Sequence, residues 1–61
     1  MSSRVFRLSV DRAENGDFIW VITEVGPSSQ EVELAASLDT YPTAAQALAA
    51  GAKVLEGIGS A

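Results

Sequence analysis

Residues 4–12, RVFRLSVDR, alternate without a break: Phe6, Leu8 and Val10 fall on one side, and Arg7, Ser9 and Asp11 on the other. Successive side chains of a strand point to opposite faces, so this is the pattern of a half-buried strand. Residues 16–25, GDFIWVITEV, break the rule, with Phe18, Trp20 and Ile22 on one face and Ile19, Val21 and Val25 on the other. Asn15-Gly16 between the two runs is a strong hairpin signal, because both residues tolerate the positive φ of a tight two-residue turn. With Asn15 and Gly16 as the loop, Phe6, Leu8 and Val10 lie opposite Val25, Thr23 and Val21. Arg7 then faces Glu24, an opposite-charge pair worth roughly 0.2–1 kcal/mol.

After the breaker pair Gly26-Pro27 the chain alternates again in EVELAASL, with Val32, Leu34, Ala36 and Leu38 inward and Glu31, Glu33, Ala35 and Ser37 outward. Placing Val25 opposite Val32 sets Ile22 beside Ala35 and Trp20 beside Ser37. A helix follows with both ends marked. Pro42 holds Tyr41 extended, Thr43 and Gln46 form a capping-box pattern, and Gly57 stands where a left-handed cap would end the helix. Ala44, Leu48, Gly51, Leu55 and Ile58 share one helical face. Gly51 costs about 1 kcal/mol relative to alanine in mid-helix, and its place in the apolar stripe predicts a close approach of the helix to the sheet. Ala45, Ala49 and Ala52 form a smooth flank beside that stripe.

These elements predict one α+β domain over 1–61, a three-stranded antiparallel meander with one C-terminal helix packed on one face. The expected strands run about 4–13, 17–25 and 31–38, the helix about 44–56, with a flexible tail at 59–61. The helix covers the face carrying Ile19, Val21 and Val25. Phe18, Trp20 and Ile22, extended by Val5 and Ala35, then form an apolar row on the outside and are the candidate partner-binding residues, since a contiguous row centred on tryptophan marks an interface. A one-residue slip in register would exchange the faces and expose Ile19, Val21 and Val25 instead.

Composition narrows the function. The chain has 61 residues, 48% apolar and 20% charged, which is the profile of a single globular domain near the lower size limit for a self-sufficient core. No cysteine or histidine is present, which removes disulfides, thiol nucleophiles, Cys/His zinc sites and imidazole catalysis. Among the usual staples of so small a domain, oligomerisation remains. The formal net charge of −4 disfavours nucleic acid. No segment has the length of a membrane span or of a signal-peptide core, and a bacterial-type cytoplasmic location is the expectation.

Carboxylates are the remaining candidates for chemistry. Glu24, Glu31 and Glu33 could gather as a cation site or a catalytic pair, and a solvated strand edge compensated by Arg7 explains them more simply. The run DRAENGD lacks the spacing of an EF-hand loop, and turn chemistry accounts for it. No cofactor, metal or small-molecule substrate is expected, nor an enzyme.

Two resemblances follow from the same residues. The run from Ala35 to Leu55, with Ser37, Tyr41, Thr43, Ala47 and Gly51, is similar to the end of the YegP-like small bacterial proteins of unknown function. That likeness implies a β-β-β-α unit and a homodimer, because single-repeat members of the family pair. Asn15-Gly16 and Thr43 with Ala47-Leu48 also resemble the N-terminal region of HicB-type antitoxins, although the DNA-binding segment such proteins often carry is missing. The expected function is a non-enzymatic interaction module that forms a homodimer or binds a protein partner around Trp20. The alternative is an antitoxin-like inhibitor that captures a basic partner on its acidic surface.

Overall fold

The computed structural model describes residues 4–59. β1 (Val5–Arg12), β2 (Phe18–Val25) and β3 (Glu31–Ala36) form an antiparallel sheet in the order β1-β2-β3, followed by α1 (Ala44–Gly59). The chain is therefore an α+β protein of β-β-β-α plan. The helix extends through Gly57 to Gly59, beyond the end expected from a left-handed cap, and Gly57 does not take a positive φ. Gly59, placed in the tail by sequence, is helical; 60–61 lie outside the described residues.

The first hairpin departs from the two-residue turn. Ala13 N–H donates to Asp17 O at 2.7 Å and Gly16 N–H donates to Ala13 O at 3.0 Å, so the loop has three residues, Glu14, Asn15 and Gly16. Gly16 alone of these takes a positive φ, +89°, the left-handed position with which three-residue hairpin loops end. One added loop residue moves the register by one. Val5 pairs with Val25, Arg7 with Thr23, Leu8 with Ile22 and Val10 with Trp20, in place of the expected Phe6–Val25 and Arg7–Glu24 pairs.

Because side chains alternate with period two, that single step exchanges the faces. Phe6, Leu8, Val10, Phe18, Trp20 and Ile22 now share the helix side. Trp20 and Ile22, expected on the outside, are 7% and 0% exposed. Burying two side chains of this size contributes roughly 1.5–3 kcal/mol each.

The second hairpin repeats the device. Gly26 N–H donates to Gln30 O at 2.7 Å and Ser29 N–H donates to Gly26 O at 3.1 Å, with Ser29 at φ +64° closing another three-residue loop. Val25 therefore pairs with Glu31 and not with Val32. A bulge at Leu34 then restores the other register, so that Ile22 pairs with Ala35 as expected from sequence. Ser37 N–H donates to Trp20 O at 2.9 Å, and Trp20 N–H donates to Ser37 Oγ at 3.2 Å. The serine hydroxyl stands in for a ladder carbonyl where the chain turns out of the sheet. It returns at Tyr41, which exchanges two backbone bonds with Phe18 at 2.7 and 2.8 Å.

The helix opens on Thr43, whose Oγ1 accepts from Gln46 N–H at 3.2 Å. It packs on β1 and β2 and makes no contact with β3. The face it turns inward is rotated from the expected one. Ala47 and Gly51 are buried and Leu55 and Ile58 half-buried, whereas Ala44 is exposed and Leu48 remains 48% exposed. The smallest residues face the largest ones. A Cβ on Gly51 would lie 2.6 Å from Leu8 Cδ1 and 2.9 Å from Trp20 Cβ, which confirms the close approach inferred from its place in the stripe. The inward residues expected of β3 find no lid: Val32 is 58% exposed, Leu34 sits in the bulge, Ala36 pairs with Val21 on the far face, and Leu38 lies past the strand end in full contact with solvent.

Gly51 and Gly57 make a controlled comparison. Gly51→Ala is expected to lower stability by about 1–3 kcal/mol through overpacking, although alanine is the better helix former. Gly57→Ala meets nothing within 4 Å and is expected to raise stability by up to about 1 kcal/mol. Urea unfolding of both variants checks the pair; two stabilised proteins would contradict the tight helix–sheet contact.

Candidate functional site

The five residues expected to form one partner-binding row are divided between the two sides of the sheet. Phe18, Trp20, Ile22 and Ala35 lie on the helix side. Trp20 and Ile22 are core, while Phe18 and Ala35 are half-buried. The Arg12 guanidinium stands over the Phe18 ring, 5.0 Å from its centre. Val5 is 55% exposed but belongs to the opposite side, beside Val25. An exposed patch around Trp20 is therefore corrected: the three-residue loop turns it under the helix.

The opposite side of the sheet is mixed in character. Ile19, Val21 and Ala36 are half-buried there beside Ser9, and a polar belt follows along the strands. Arg7 Nη1 reaches Glu31 Oε2 at 3.2 Å, and Thr23 Oγ1 donates to Glu31 Oε1 at 3.2 Å, spanning all three strands. Such exposed pairs contribute about 0–1 kcal/mol each, so their effect is mainly to orient the strand ends. Asp17 ties the first hairpin to the segment before the helix, accepting from Asn15 Nδ2 at 3.3 Å and from Thr40 Oγ1 at 3.1 Å.

Glu24, Glu31 and Glu33 do not converge. Glu24 turns to the helix side, where Arg4 donates to both its oxygens at 3.0 Å, while Glu31 and Glu33 lie on the far side beside Val25 and Thr23. The bond from Arg4 holds the Glu24 carboxyl below its ordinary value and raises Arg4 in turn. Arg4 also stands over Phe6, 4.9 Å from the ring centre. No cleft opens among the described residues, and none of their carboxylates gather in threes. No described helix is long and apolar enough to cross a membrane.

The large apolar side chains that stay exposed lie at strand edges and helix flanks: Val5, Val32, Leu34, Leu38, Leu48 and Val54. Sequence patterning missed this distribution because it placed β3 and Leu48 under the helix. The fold and this surface define the chain as a small β-β-β-α module with a covered sheet face and apolar margins. No family model matches the chain, and neither does a curated protein or a solved structure.

Glu24 gives a pH prediction. Its carboxyl is depressed in the folded chain, so the stability it contributes is present above the ordinary glutamate range and is lost as pH falls through the lower folded value. Glu24→Gln is expected to lower the melting temperature near neutral pH and to leave a shallower decline on acidification than the native chain shows. Parallel melting curves across the acid range would refute the ion pair if they kept a constant offset.

Proposed function

We propose that the chain is a non-enzymatic interaction module that works as a homodimer, and that one of its apolar margins, not the row around Trp20, is what the second copy covers. The observation carrying this reading is the exposed apolar surface: Val5, Val32, Leu34, Leu38, Leu48 and Val54 stay 38–101% exposed along the strand edges and helix flanks.

Other observations agree with this role. Trp20, Ile22 and Ala47 are the buried hydrophobic residues among those described, a small core for a domain with no cysteine to form a disulfide. The resemblance to YegP-like proteins points the same way. Its pattern residues also have local structural explanations: Ser37 satisfies Trp20, Tyr41 pairs with Phe18, Thr43 caps the helix, Ala47 is buried and Gly51 admits the tryptophan. The pattern therefore bears on fold and assembly without carrying an activity. The acidic-inhibitor alternative draws less support, since Glu24 and Glu31 are already paired with Arg4 and Arg7.

Sedimentation equilibrium tests the proposal. The expected mass is twice 6.4 kDa at micromolar concentration, little changed by moderate salt. A chain that stays monomeric to millimolar concentration overturns it.

A further inference from the structure

We infer that two copies of the chain pair edge to edge through β1, antiparallel about a two-fold axis at Ser9, making one six-stranded sheet with both helices on the same face. This rests on the reading of the chain as a homodimer and specifies its geometry.

The two edges of the sheet differ in what they offer. Phe18 and Trp20 direct backbone bonds toward Tyr41 and Ser37, on the β3 side. Alternation along β2 then gives the backbone groups of Ile19, Val21, Thr23 and Val25 to β1, where they meet Asp11, Ser9, Arg7 and Val5. The N–H and C=O groups of Phe6, Leu8, Val10 and Arg12 are left pointing outward along a regular eight-residue edge. β3 is six residues long, bulged at Leu34, and carries Glu31 and Glu33, features that discourage strand addition.

Charge selects the register. A two-fold centred on Ser9 sets Arg7, which within one chain reaches Glu31, opposite the second copy's Asp11, twice, and Leu8 opposite Val10. Leu8 and Val10 both have outward backbone groups, so they form the hydrogen-bonded pairs. Arg7 and Asp11 fall at the closer, non-bonded positions, where side chains interact most. Moving the register by two residues either way sets Arg7 against Ser9 or Ala13. Among the described residues Asp11 makes no ion pair or hydrogen bond through its side chain.

Helix placement fits the same axis. α1 touches β1 and β2 but not β3, so it lies above their seam. The dyad then separates the two helices by two strand spacings, about 9.6 Å, within the ~8–10 Å of packed helices. Pairing through β3 would hold them about 19 Å apart, leaving a gap. The helix follows the Tyr41–Phe18 pair and brings Gly51 over Trp20 and Leu8, level with Ser9, so it advances in the general direction of β2. With Trp20 pointing at the helix and its backbone groups toward β3, the right-handed winding puts Leu48, Ala52 and Leu55 on the β1 flank. Leu48 is 48% exposed and Ala52 exposed in the single chain. Meeting its counterpart across the axis covers both.

The chain has no cysteine, so one introduced thiol reports cleanly. At a non-bonded antiparallel position the two Ser9 Cα atoms would be about 4.5 Å apart, inside the ~4.4–6.8 Å that a disulfide spans. Ser9→Cys in oxidised glutathione is expected to become mostly covalent dimer, while Glu33→Cys on β3 stays single-chain. Arg7→Asp and Asp11→Arg are each expected to weaken the dimer about tenfold, and mixing the two variants is expected to recover it, because each then faces an opposite charge. If the native chain sediments as a dimer but Glu33→Cys crosslinks in preference to Ser9→Cys, or mixing recovers nothing, β1 pairing is wrong while the homodimer stands. A native monomer overturns both.

Discussion

The contact of Gly51 with Trp20 and Leu8 governs the rest of the molecule. A helix lies at ordinary distance from a sheet when side chains of both fill the space between. Here the helix supplies a hydrogen atom at its centre and the sheet supplies an indole, so the backbone comes down until a Cβ on Gly51 would overlap the tryptophan. Ala47, one turn earlier, is fully buried by the same approach. The pairing of smallest with largest gives so short a chain a dry centre, and it works only if Trp20 faces the helix. That requirement passes to the hairpin that sets the tryptophan's direction.

Gly16 meets it. An Asn-Gly pair suits a two-residue turn with both φ positive, and equally a three-residue loop in which only the glycine is left-handed. The two solutions differ by one residue of register and hence by the whole identity of the buried face. Composition at the turn cannot separate them, which is why the strands, their order, the capped helix and the near approach of Gly51 were legible while the facing was not. The cross-strand pairs held the missing signal. The two-residue loop sets Trp20 against Asp11 and Ser9 against Ile22, whereas the three-residue loop sets Trp20 against Val10 and Leu8 against Ile22. Apolar partners on one face outweigh the modest Arg7–Glu24 attraction that favoured the other choice. The glycine in the helix stripe carried the same information, since a hole in one layer calls for a bulky residue in the other.

The candidate site was less legible for the same reason carried one step further. Val32 and Leu34 alternate like core residues, yet alternation records only which side of the sheet a residue takes, not whether anything lies above it. Whether a lid exists depends on where one helix of about 24 Å sits across three strands, a global property that no local pattern contains. The bulge at Leu34 adds to the difficulty. By inserting one residue it lets the Glu31–Thr23–Arg7 belt and the Ile22–Ala35 pair coexist on registers that would otherwise conflict.

The helix's offset toward β1 is the structural fact with the widest consequence. Centred on β2, it would shelter parts of all three strands and leave equal margins. Displaced, it leaves β3 open on one side and overhangs β1 on the other, and the two margins have unlike chemistry. The β3 margin carries two glutamates and a bulge, which oppose further strand pairing, beside exposed Val32 and Leu34. The β1 margin has regular backbone, charges of both signs and an alanine- and leucine-bearing helix flank. A protein under no constraint to associate would be expected to protect both edges alike. The asymmetry, with one edge guarded and the other left regular and self-complementary, is what a closed two-fold assembly requires, because pairing through one edge terminates at two copies while pairing through both would continue into a fibre.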